Sequence, residues 1–314
     1  MFRINYGKVD VFSTLFSEAG YGFFVNFDRV EPEYRVLSRV YDTWKDARFP
    51  LVLGIGAALI DYQLPVGGAE RFWREFEETI ADFTRFNREL KPSLGLVKRI
   101  LWVFVKYNDA CIRHRRQKIA VIEKYLENYA DRLWERDYVY MRNEPENIWF
   151  ELSRATGRSL DSKTIVFAMK IVDLLSLIIY GEYSRFRKIK YLPLDFHVAR
   201  LTLLSGIVEP EEQTNMSLEE AIQALMTQDE HRILVFKAWS KVAENITETI
   251  GKHVSPLRID SILWQLDKQI YRNSSTWLQS ITKLKDYIVK TSSIKQDIAE
   301  RIAKEFLSNY WLAR

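Results

Sequence analysis

Three features of the 314-residue sequence predict an all-α fold. Glycine and proline are scarce, at 12 and 8 residues, which suits long helices with short connections better than a sandwich with many tight turns. Apolar residues recur at three- and four-residue steps along much of the chain, which is the period of an amphipathic helix. The length and the 47% hydrophobic content are enough for one large domain or for two lobes that share a core.

The first half of the chain predicts a series of helices after a less regular start. Residues 1–31 mix aromatic residues with Gly20 and Gly22, and they predict one helix or a short hairpin. Further helices are predicted at 33–46, 51–64, 70–86, 92–106 and 110–136. The segment 51–64 is apolar nearly all round, so we expect that helix to lie at the centre of a core.

The second half continues the helical pattern after a break at 142–147. Ser217, with Glu220 three residues later, fits a capping box and predicts that a helix begins at 218. Two or three helices are expected within 218–271, and two more within 276–311. No segment repeats at a fixed period, so the sequence does not predict a solenoid.

The net charge of +4 conceals two strongly basic runs, 113–118 and 185–190. Runs of this kind can neutralise the phosphates of a nucleic acid, and a solvated helix face is the ordinary alternative. The local sequence leaves both interpretations open for each run.

Residue usage excludes several kinds of site. Cys111 is the only cysteine, which excludes a disulfide framework, a cysteine-rich zinc site and a four-cysteine iron–sulfur cluster. The four histidines have no ligand spacing, and we expect no catalytic metal and no cofactor. No signal peptide is recognised and the apolar runs are too short to span a bilayer, so we expect a cytoplasmic monomer with no membrane partner.

A turn of small and polar residues at 155–162 separates two apolar segments and predicts a helical hairpin, with Lys163 opening its second helix. Such a hairpin points backbone N–H groups and a helix N-terminus outward, where they can bind phosphate. Helical hairpins are common in helical proteins, so the hairpin alone is weak support for a phosphate site.

Within that second helix, Lys163, Phe167 and Lys170 stand at i, i+4 and i+7 and therefore share one face. The remaining positions of the helix are mostly apolar, so two lysines flanking a phenylalanine are difficult to explain by burial alone. The alternative is a solvent-facing stripe that contains one aromatic residue.

Two further positions combine a carboxylate with a special place in a helix. Asp195 follows Pro193 and precedes an apolar run, so it predicts a helix N-cap; a capping carboxylate can also be reactive. Asp260 and Trp264 stand at i and i+4, where a tryptophan could stack on a base and a carboxylate could accept its hydrogen bonds. The alternative for this pair is a buried tryptophan beside a solvated aspartate.

Three runs in order, KTIVFAMKI from Lys163, PLDFHVARLT from Pro193 and SPLRIDSILW from Ser255, resemble the archaeal 8-oxoguanine DNA glycosylase/lyase family, also called archaeal GO glycosylase. The similarity runs from about residue 31 to residue 271. The resemblance implies a two-lobed, all-α helix–hairpin–helix DNA glycosylase fold. The expected lobes are 48–180, which contains the hairpin, and 1–47 with 181–314.

The resemblance also implies a base-excision-repair enzyme that removes 8-oxoguanine and then acts as a lyase at the abasic site. Lys163 matches the Schiff-base lysine and Asp195 the catalytic aspartate of the family. The residues expected to bind the flipped base are Phe167, Lys170, Asp260, Trp264, Glu33 and Trp73. The residues expected at the DNA backbone are Gly157, Arg158, Ser159 and Thr164. The implied partner is double-stranded DNA that contains damaged guanine, with single-stranded DNA as an alternative.

Glu33 departs from the family pattern, which has glutamine at this position. Glutamine can donate and accept hydrogen bonds, whereas an ionised glutamate only accepts. A glycosylase for a different damaged base therefore stays open. Two rivals from other classes stay open as well: a non-catalytic helical DNA-binding protein, which needs neither Lys163 nor Asp195, and a helical interaction scaffold without affinity for DNA.

Overall fold

Most of the described chain is helical, and the all-α prediction is confirmed. The computed structural model describes residues 2–85, 91–136, 138–211, 216–271 and 276–309. The one sheet within these ranges has two short antiparallel strands, so local helix formation and helix packing account for the fold.

The elements of the first half begin with strand β1 (Phe2–Ile4). The helices that follow are α1 (Tyr6–Ala19), α2 (Tyr21–Arg29), α3 (Pro32–Trp44), α4 (Arg48–Ile60), α5 (Gly68–Arg85), α6 (Leu94–Tyr107), α7 (Arg115–Asn128), α8 (Ala130–Glu135), α9 (Tyr138–Asn143) and α10 (Pro145–Thr156).

The second half contains strand β2 (Val208–Pro210), which pairs with β1 through the register Phe2 to Pro210. Its helices are α11 (Lys163–Tyr180), α12 (Phe196–Ser205), α13 (Leu218–Thr227), α14 (Asp229–Ile250), α15 (Pro256–Tyr271), α16 (Trp277–Ser292) and α17 (Gln296–Phe306).

The chain divides into two compact units. The hairpin unit is Val30–Lys188, and the split unit combines Met1–Arg29 with Ile189–Arg314. The lobes expected from the sequence differ at two places, because α3 and residues 181–188 belong to the hairpin unit. Helix α3 packs against α4 and α11. The segment after α11 folds back on α11, where the Ser184 N–H donates to Asp173 Oδ1 at 2.7 Å.

The core of the hairpin unit is the packing of α4 against α11. All residues of α4 from Phe49 to Ile60 are buried, as expected from a segment that is apolar all round. A side chain at Gly54 would begin 2.7 Å from Ile171 Cγ2 and 2.8 Å from Leu37 Cδ2. Glycine at this position therefore allows α4 to approach both α3 and α11 closely, which holds α11 in a fixed place.

The core of the split unit surrounds α12 and α15. Aromatic residues of α1 pack on Trp239 of α14, with 5.3 Å between the ring centroids of Phe12 and Trp239. The Trp239 indole N–H donates to the Thr202 hydroxyl of α12 at 2.9 Å. Burial of this aromatic cluster holds α12 in place, and α12 is the helix that begins directly after Asp195.

Several predicted elements differ in detail. Residues 1–31 form a strand and two helices rather than a single element. The single helix expected at 110–136 is broken at Tyr129, whose backbone leaves the helical region (φ −141°, ψ −33°) while its side chain is buried. The capping box at Ser217 and Glu220 is confirmed. The predicted helix ends at 86 and 311 lie outside the described residues.

Within the described ranges, no helix combines the length and the apolar character needed to cross a bilayer.

Candidate functional site

The predicted hairpin is present and is stabilised by its own backbone and side chains. Helix α10 ends at Gly157, whose left-handed conformation (φ 68°, ψ 28°) is one that glycine adopts without strain. The Ser153 hydroxyl donates to the Arg158 carbonyl at 2.5 Å, and the Trp149 indole N–H donates to the Leu160 carbonyl at 2.9 Å. The hairpin therefore delivers Lys163 to the first position of α11 in a defined orientation.

The four hairpin residues expected at the DNA backbone do not share one environment. Gly157 and Ser159 are exposed. Arg158 instead turns inward, where its Nη1 donates to the Leu59 carbonyl at 3.2 Å and to the Thr164 hydroxyl. Thr164 is buried. The geometry thus shows that Arg158 and Thr164 hold α4 against the first turn of α11, and the phosphate contacts expected from the sequence stay a prediction.

The side chains of the same-face trio of α11 become more buried along the helix. Lys163 is partly exposed, Phe167 retains 9% of its surface and Lys170 only 1%. A solvent-facing stripe would leave all three exposed, so the structure excludes that alternative. The Phe167 ring meets the Trp73 ring of α5 edge to face, with 6.4 Å between centroids, which joins two predicted base-binding residues.

A buried charge cluster surrounds Lys170. Its Nζ lies 2.7 Å from Glu31 Oε1 and 3.7 Å from Glu33 Oε1, and all three side chains are nearly inaccessible to solvent. Glu33 was predicted from the sequence, and Glu31 was not. The sequence signal for Glu31 is the pair of glutamates that flank Pro32 at the start of α3. Three ionisable groups without this pairing would be costly to bury, so each depends on the others.

A second carboxylate that sequence reasoning missed is Asp61, which follows the last residue of α4. It is buried, and its Oδ2 accepts the Trp73 indole N–H at 2.9 Å. Burial raises the pKa of Asp61 to about 6, against an opposing contribution from Lys163 and a reinforcing one from Glu33. The carboxyl group therefore titrates near neutral pH, which an ordinary aspartate does not do.

In the split unit, Asp195 occupies the N-cap of α12, as predicted. Its Oδ1 accepts the Val198 N–H at 3.1 Å. On the first turn of the same helix, His197 Nδ1 lies 2.7 Å from Asp267 Oδ2 and Arg200 Nε donates to Asp267 Oδ1 at 2.8 Å. Because Asp267 is buried on α15, these contacts fix the start of α12 against α15.

The environments of Asp260 and Trp264 are the reverse of the alternative considered above, a buried tryptophan beside a solvated aspartate. Asp260 is buried at 5% exposure, while Trp264 is partly exposed. The Trp264 ring lies 4.0 Å below the Lys268 Nζ and meets the His197 ring edge to face, with 6.5 Å between centroids. A partly exposed tryptophan held by two neighbours is suited to stacking on a flat ligand.

A buried ion pair anchors the helix that carries Asp260 and Trp264. Arg258 Nη1 of α15 lies 2.6 Å from Asp28 Oδ2 of α2, and both side chains are fully buried. The Ser261 hydroxyl donates to the other Asp28 oxygen at 2.5 Å. The Gln265 amide donates to the Phe27 carbonyl at 2.8 Å, so contacts with α2 recur along one face of α15.

We expect Asp28→Asn to lower the free energy of unfolding by about 3–5 kcal/mol, because it leaves the Arg258 charge buried without its counter-ion. Urea denaturation followed by circular dichroism measures the change. Glu244→Gln removes a half-exposed ion pair of α14 with Lys241 and should change stability by about 0.5 kcal/mol or less. Equal effects of the two substitutions would contradict the role given to Asp28.

The two basic runs are only partly available to a ligand. In the first, Lys118 is buried, and Arg113 and Arg115 donate to the carbonyls of Leu64 and Asn108 at 3.1 and 2.8 Å. In the second run, the residues with exposed side chains are Arg185, Arg187, Lys188 and Lys190. Exposed cations are suited to phosphate contacts, so the second run is the better candidate for DNA binding.

Among the described residues, no group of three or more histidine, cysteine, aspartate or glutamate side chains is arranged to hold a metal ion.

Comparison with known proteins gives a consistent result. The sequence model of the AGOG family, described as N-glycosylase/DNA lyase, matches residues 13–301. An N-glycosylase/DNA lyase of Methanococcus maripaludis is 24% identical over 77% of this chain and 82% of its own length. The enzyme of the same name from Methanopyrus kandleri is 23% identical over 75% of this chain and 79% of its own.

Among solved structures, the chain is similar to Pa-AGOG, an 8-oxoguanine DNA glycosylase from Pyrobaculum aerophilum that was crystallised with 8-oxoguanosine. The TM-score is 0.64, the sequence identity is 18%, and the match covers 95% of this chain and 96% of Pa-AGOG. At this identity the likeness establishes the fold, which is the all-helical fold expected from the sequence.

Proposed function

Because the chain belongs to the AGOG family of N-glycosylase/DNA lyases, we propose that it removes 8-oxoguanine from DNA and then cleaves the strand, with Lys163 as the nucleophile. The observation that carries the proposal is the position of Lys163. Its side chain is partly exposed, while Phe167 and Lys170 on the same face of α11 are buried. Lys163 stands one helical turn before Phe167, whose ring contacts the ring of Trp73.

The first step is extrusion of the damaged nucleotide from the duplex, because its reacting carbon cannot be reached inside the helix. Unstacking and unpairing cost a few kcal/mol, which contacts with the flipped base must offset. The Phe167 and Trp73 rings supply apolar surface in the hairpin unit, and the partly exposed Trp264 face supplies it in the split unit. In the site the flipped base is shielded from water, so each hydrogen bond to it discriminates more strongly between bases.

The second step is attack of the neutral Lys163 amine on the sugar C1′. A bond forms between Nζ and C1′, the glycosidic C–N bond breaks, and its electron pair leaves with the base. Loss of a proton from Nζ and opening of the sugar ring give an imine between Lys163 and the strand. The imine acidifies the C2′ protons, so elimination of the 3′ phosphate follows and accounts for the lyase activity.

Asp195 supports the same reaction by its charge. The sugar becomes cationic as the base departs, and a carboxylate stabilises that charge electrostatically. The capping hydrogen bond from the Val198 N–H fixes the orientation of the side chain. Asp195 is thus a helix cap and a catalytic group in one residue.

The identity of the base rests on the polar side chains that the family resemblance assigns to base recognition. A base oxidised to 8-oxoguanine presents three N–H groups at N1, N2 and N7 and two carbonyl oxygens. Lys170 is a donor, while Glu33 and Asp260 are acceptors when ionised. This set matches 8-oxoguanine in kind, but the Glu33 carboxylate favours additional donors on the base. A different damaged base with more N–H groups on that edge is therefore the second candidate.

The test is borohydride trapping with a panel of duplexes that carry 8-oxoguanine, other oxidised and alkylated bases, uracil or undamaged guanine. Borohydride reduces the imine to a stable covalent complex, which is seen as a shifted protein band. The proposal expects the fastest trapping with 8-oxoguanine. Faster trapping with another lesion would mean that this lesion, and not 8-oxoguanine, is the preferred substrate, while the proposed reaction would stand. No trapping with any duplex would support a non-catalytic DNA-binding protein.

We expect Trp264→Ala to weaken discrimination between 8-oxoguanine and guanine about tenfold or more, since stacking is worth about 1–3 kcal/mol per base. The measurement is the ratio of single-turnover excision rates for the two bases. Trp277, a partly exposed tryptophan of α16, provides the matched control, and Trp277→Ala should leave the ratio unchanged. Unchanged selectivity in Trp264→Ala would remove the stacking role.

We further propose that the enzyme acts as a cytoplasmic monomer on duplex DNA. Phosphate contacts make binding depend on salt, so affinity for duplex should fall steeply between 50 and 200 mM salt, in line with about one released counter-ion per contact. Competition between single-stranded and duplex substrates at fixed salt decides between the two forms of DNA. Binding that is independent of salt would instead support an interaction scaffold.

A further inference from the structure

A buried carboxylate with few hydrogen bonds stands beside the proposed nucleophile. Asp61 is 6% exposed, and the printed sequence gives no local reason for an aspartate after the apolar run of α4. Its backbone N–H closes the helix on the Ala58 carbonyl, which any residue could do. Burying a carboxyl group is unfavourable unless it is paired and hydrogen-bonded, so the burial of this side chain requires an explanation.

Two independent sets of contacts place Asp61 at the first turn of α11. On one side, Arg158 donates to both the Leu59 carbonyl and the Thr164 hydroxyl. Leu59 lies two residues before Asp61, and Thr164 directly follows Lys163. On the other side, Asp61 accepts from Trp73, whose ring packs on Phe167, one helical turn after Lys163. Both sets lie within the hairpin unit, so the proximity does not depend on the split unit.

The charged groups that face Asp61 come from three further helices. They are Lys163 of α11, Glu33 of α3 and Lys118 of α7, and Lys163 has the largest effect among them on the Asp61 pKa. Burial lowers the pKa of Lys118, and its Nζ lies 5.1 Å from the centroid of the Tyr62 ring. The carboxylate is therefore flanked by two cations and one anion, and of these Glu33 and Lys118 are buried.

The proposed reaction creates a need that this carboxylate meets. An amine attacks only when neutral, and at a reference pKa of about 10.4 roughly one lysine in two thousand is neutral at pH 7. An adjacent base that titrates near neutral pH can accept the surplus proton at the moment of attack. We propose that Asp61 is a positioning residue for Lys163, which orients its amine and takes up the proton that the amine must lose.

This inference rests on the proposed role of Lys163 as nucleophile. The step converts the Lys163 ammonium and the Asp61 carboxylate into a neutral amine and a neutral carboxylic acid, so one proton moves and the total charge is unchanged. Docking of the substrate sugar against Lys163 removes water and favours the neutral pair over the ion pair. The proton returns to solvent after the product leaves, and Asp61 is then ready for another turnover.

The test measures the rate of borohydride trapping against pH under single-turnover conditions with saturating enzyme. The DNA carries a pre-formed abasic site, so that base recognition does not enter. In the wild type, the rate should rise with the ionisation of Asp61, with an apparent pKa near 6, and level off above pH 7. In Asp61→Asn, the rate at pH 6.5 should fall about 100-fold and then climb about tenfold per pH unit towards pH 9, as hydroxide replaces the missing base.

Two further variants separate this effect from structural damage. Trp73→Phe removes the N–H that stabilises the ionised carboxylate, so the acid limb should move to higher pH. Asp161→Asn removes a partly exposed carboxylate that lies two residues before Lys163, and the profile should keep its wild-type shape. A structural defect would lower the rate equally at all pH values. Asparagine retains the acceptor for Trp73, so Asp61→Asn should unfold at pH 8 no more easily than the wild type.

The outcomes distinguish the two levels of inference. If the wild type is trapped and Asp61→Asn has the same pH profile or a rate reduced uniformly at every pH, the role of Asp61 is wrong and that of Lys163 stands. If the wild type is not trapped at any pH on any lesion, Lys163 is not a nucleophile and both proposals fail.

Discussion

Replacing Lys163 with glutamine should abolish borohydride trapping and strand cleavage, with a loss of at least about 10³-fold. Glutamine has no amine, so neither the covalent bond to C1′ nor the imine can form. The fold should be unaffected, because glutamine is a good helix former and the side chain is partly exposed at the first position of α11. Gel analysis of reduced complexes with a lesion-containing duplex measures the effect directly.

Lys170→Gln is the matched control, because Lys170 lies on the same face of α11. Its amine is buried and ion-paired with Glu31 and Glu33, so it cannot replace Lys163 as nucleophile. The Lys170 variant should be less stable by about 3–5 kcal/mol, as it leaves buried carboxylates without their cation, but its folded fraction should still be trapped. A Lys163→Gln protein that is trapped as fully as the wild type would disprove the assignment of the nucleophile.

Replacing Asp195 with asparagine should lower the excision rate by about two to four orders of magnitude and leave DNA affinity almost unchanged. Asparagine is as good an N-cap as aspartate, so the hydrogen bond from the Val198 N–H and the start of α12 are retained. Only the negative charge is lost, and with it the stabilisation of the cationic sugar. Single-turnover kinetics combined with fluorescence anisotropy separate the rate from the affinity.

The capping role of Asp195 has its own control in Ser93, whose hydroxyl caps α6 by accepting from the Leu96 N–H at 3.2 Å. Ser93→Ala should cost about 1 kcal/mol of stability and leave excision unchanged. If Asp195→Asn excised the base at the wild-type rate, Asp195 would be a structural cap alone. A loss of stability in Asp195→Asn without a matching loss of rate would lead to the same conclusion.

Local periodicity was sufficient to predict part of the site. Lys163, Phe167 and Lys170 share a face because helical spacing determines which side chains are neighbours, whatever the surroundings. The N-cap at Asp195 and the capping box at Ser217 followed from the same kind of short-range rule. These predictions hold because both partners lie within one or two turns of each other.

The charged groups around Lys163 and Lys170 could not be predicted in this way. Glu31 is 139 residues from Lys170 in the sequence, and its role is visible only where the two side chains meet. Asp61 acquires its environment from α3, α5, α7 and α11, which no window of the sequence brings together. The inward hydrogen bonds of Arg158 were not predicted either, because they form only where α4 packs against the first turn of α11.

The sequence by itself determined the helical class, the order of most helices and the residues that carry the family resemblance, because helix period, caps and motif spacing are local properties. The breaks in the helices, such as the one at Tyr129, were decided by burial, which outweighs the local preference for a continued helix. Only the tertiary structure decided which charges are buried together. The cost of burying a charge depends on partners that are distant in sequence, as Glu31 is from Lys170, so no local rule could predict these clusters.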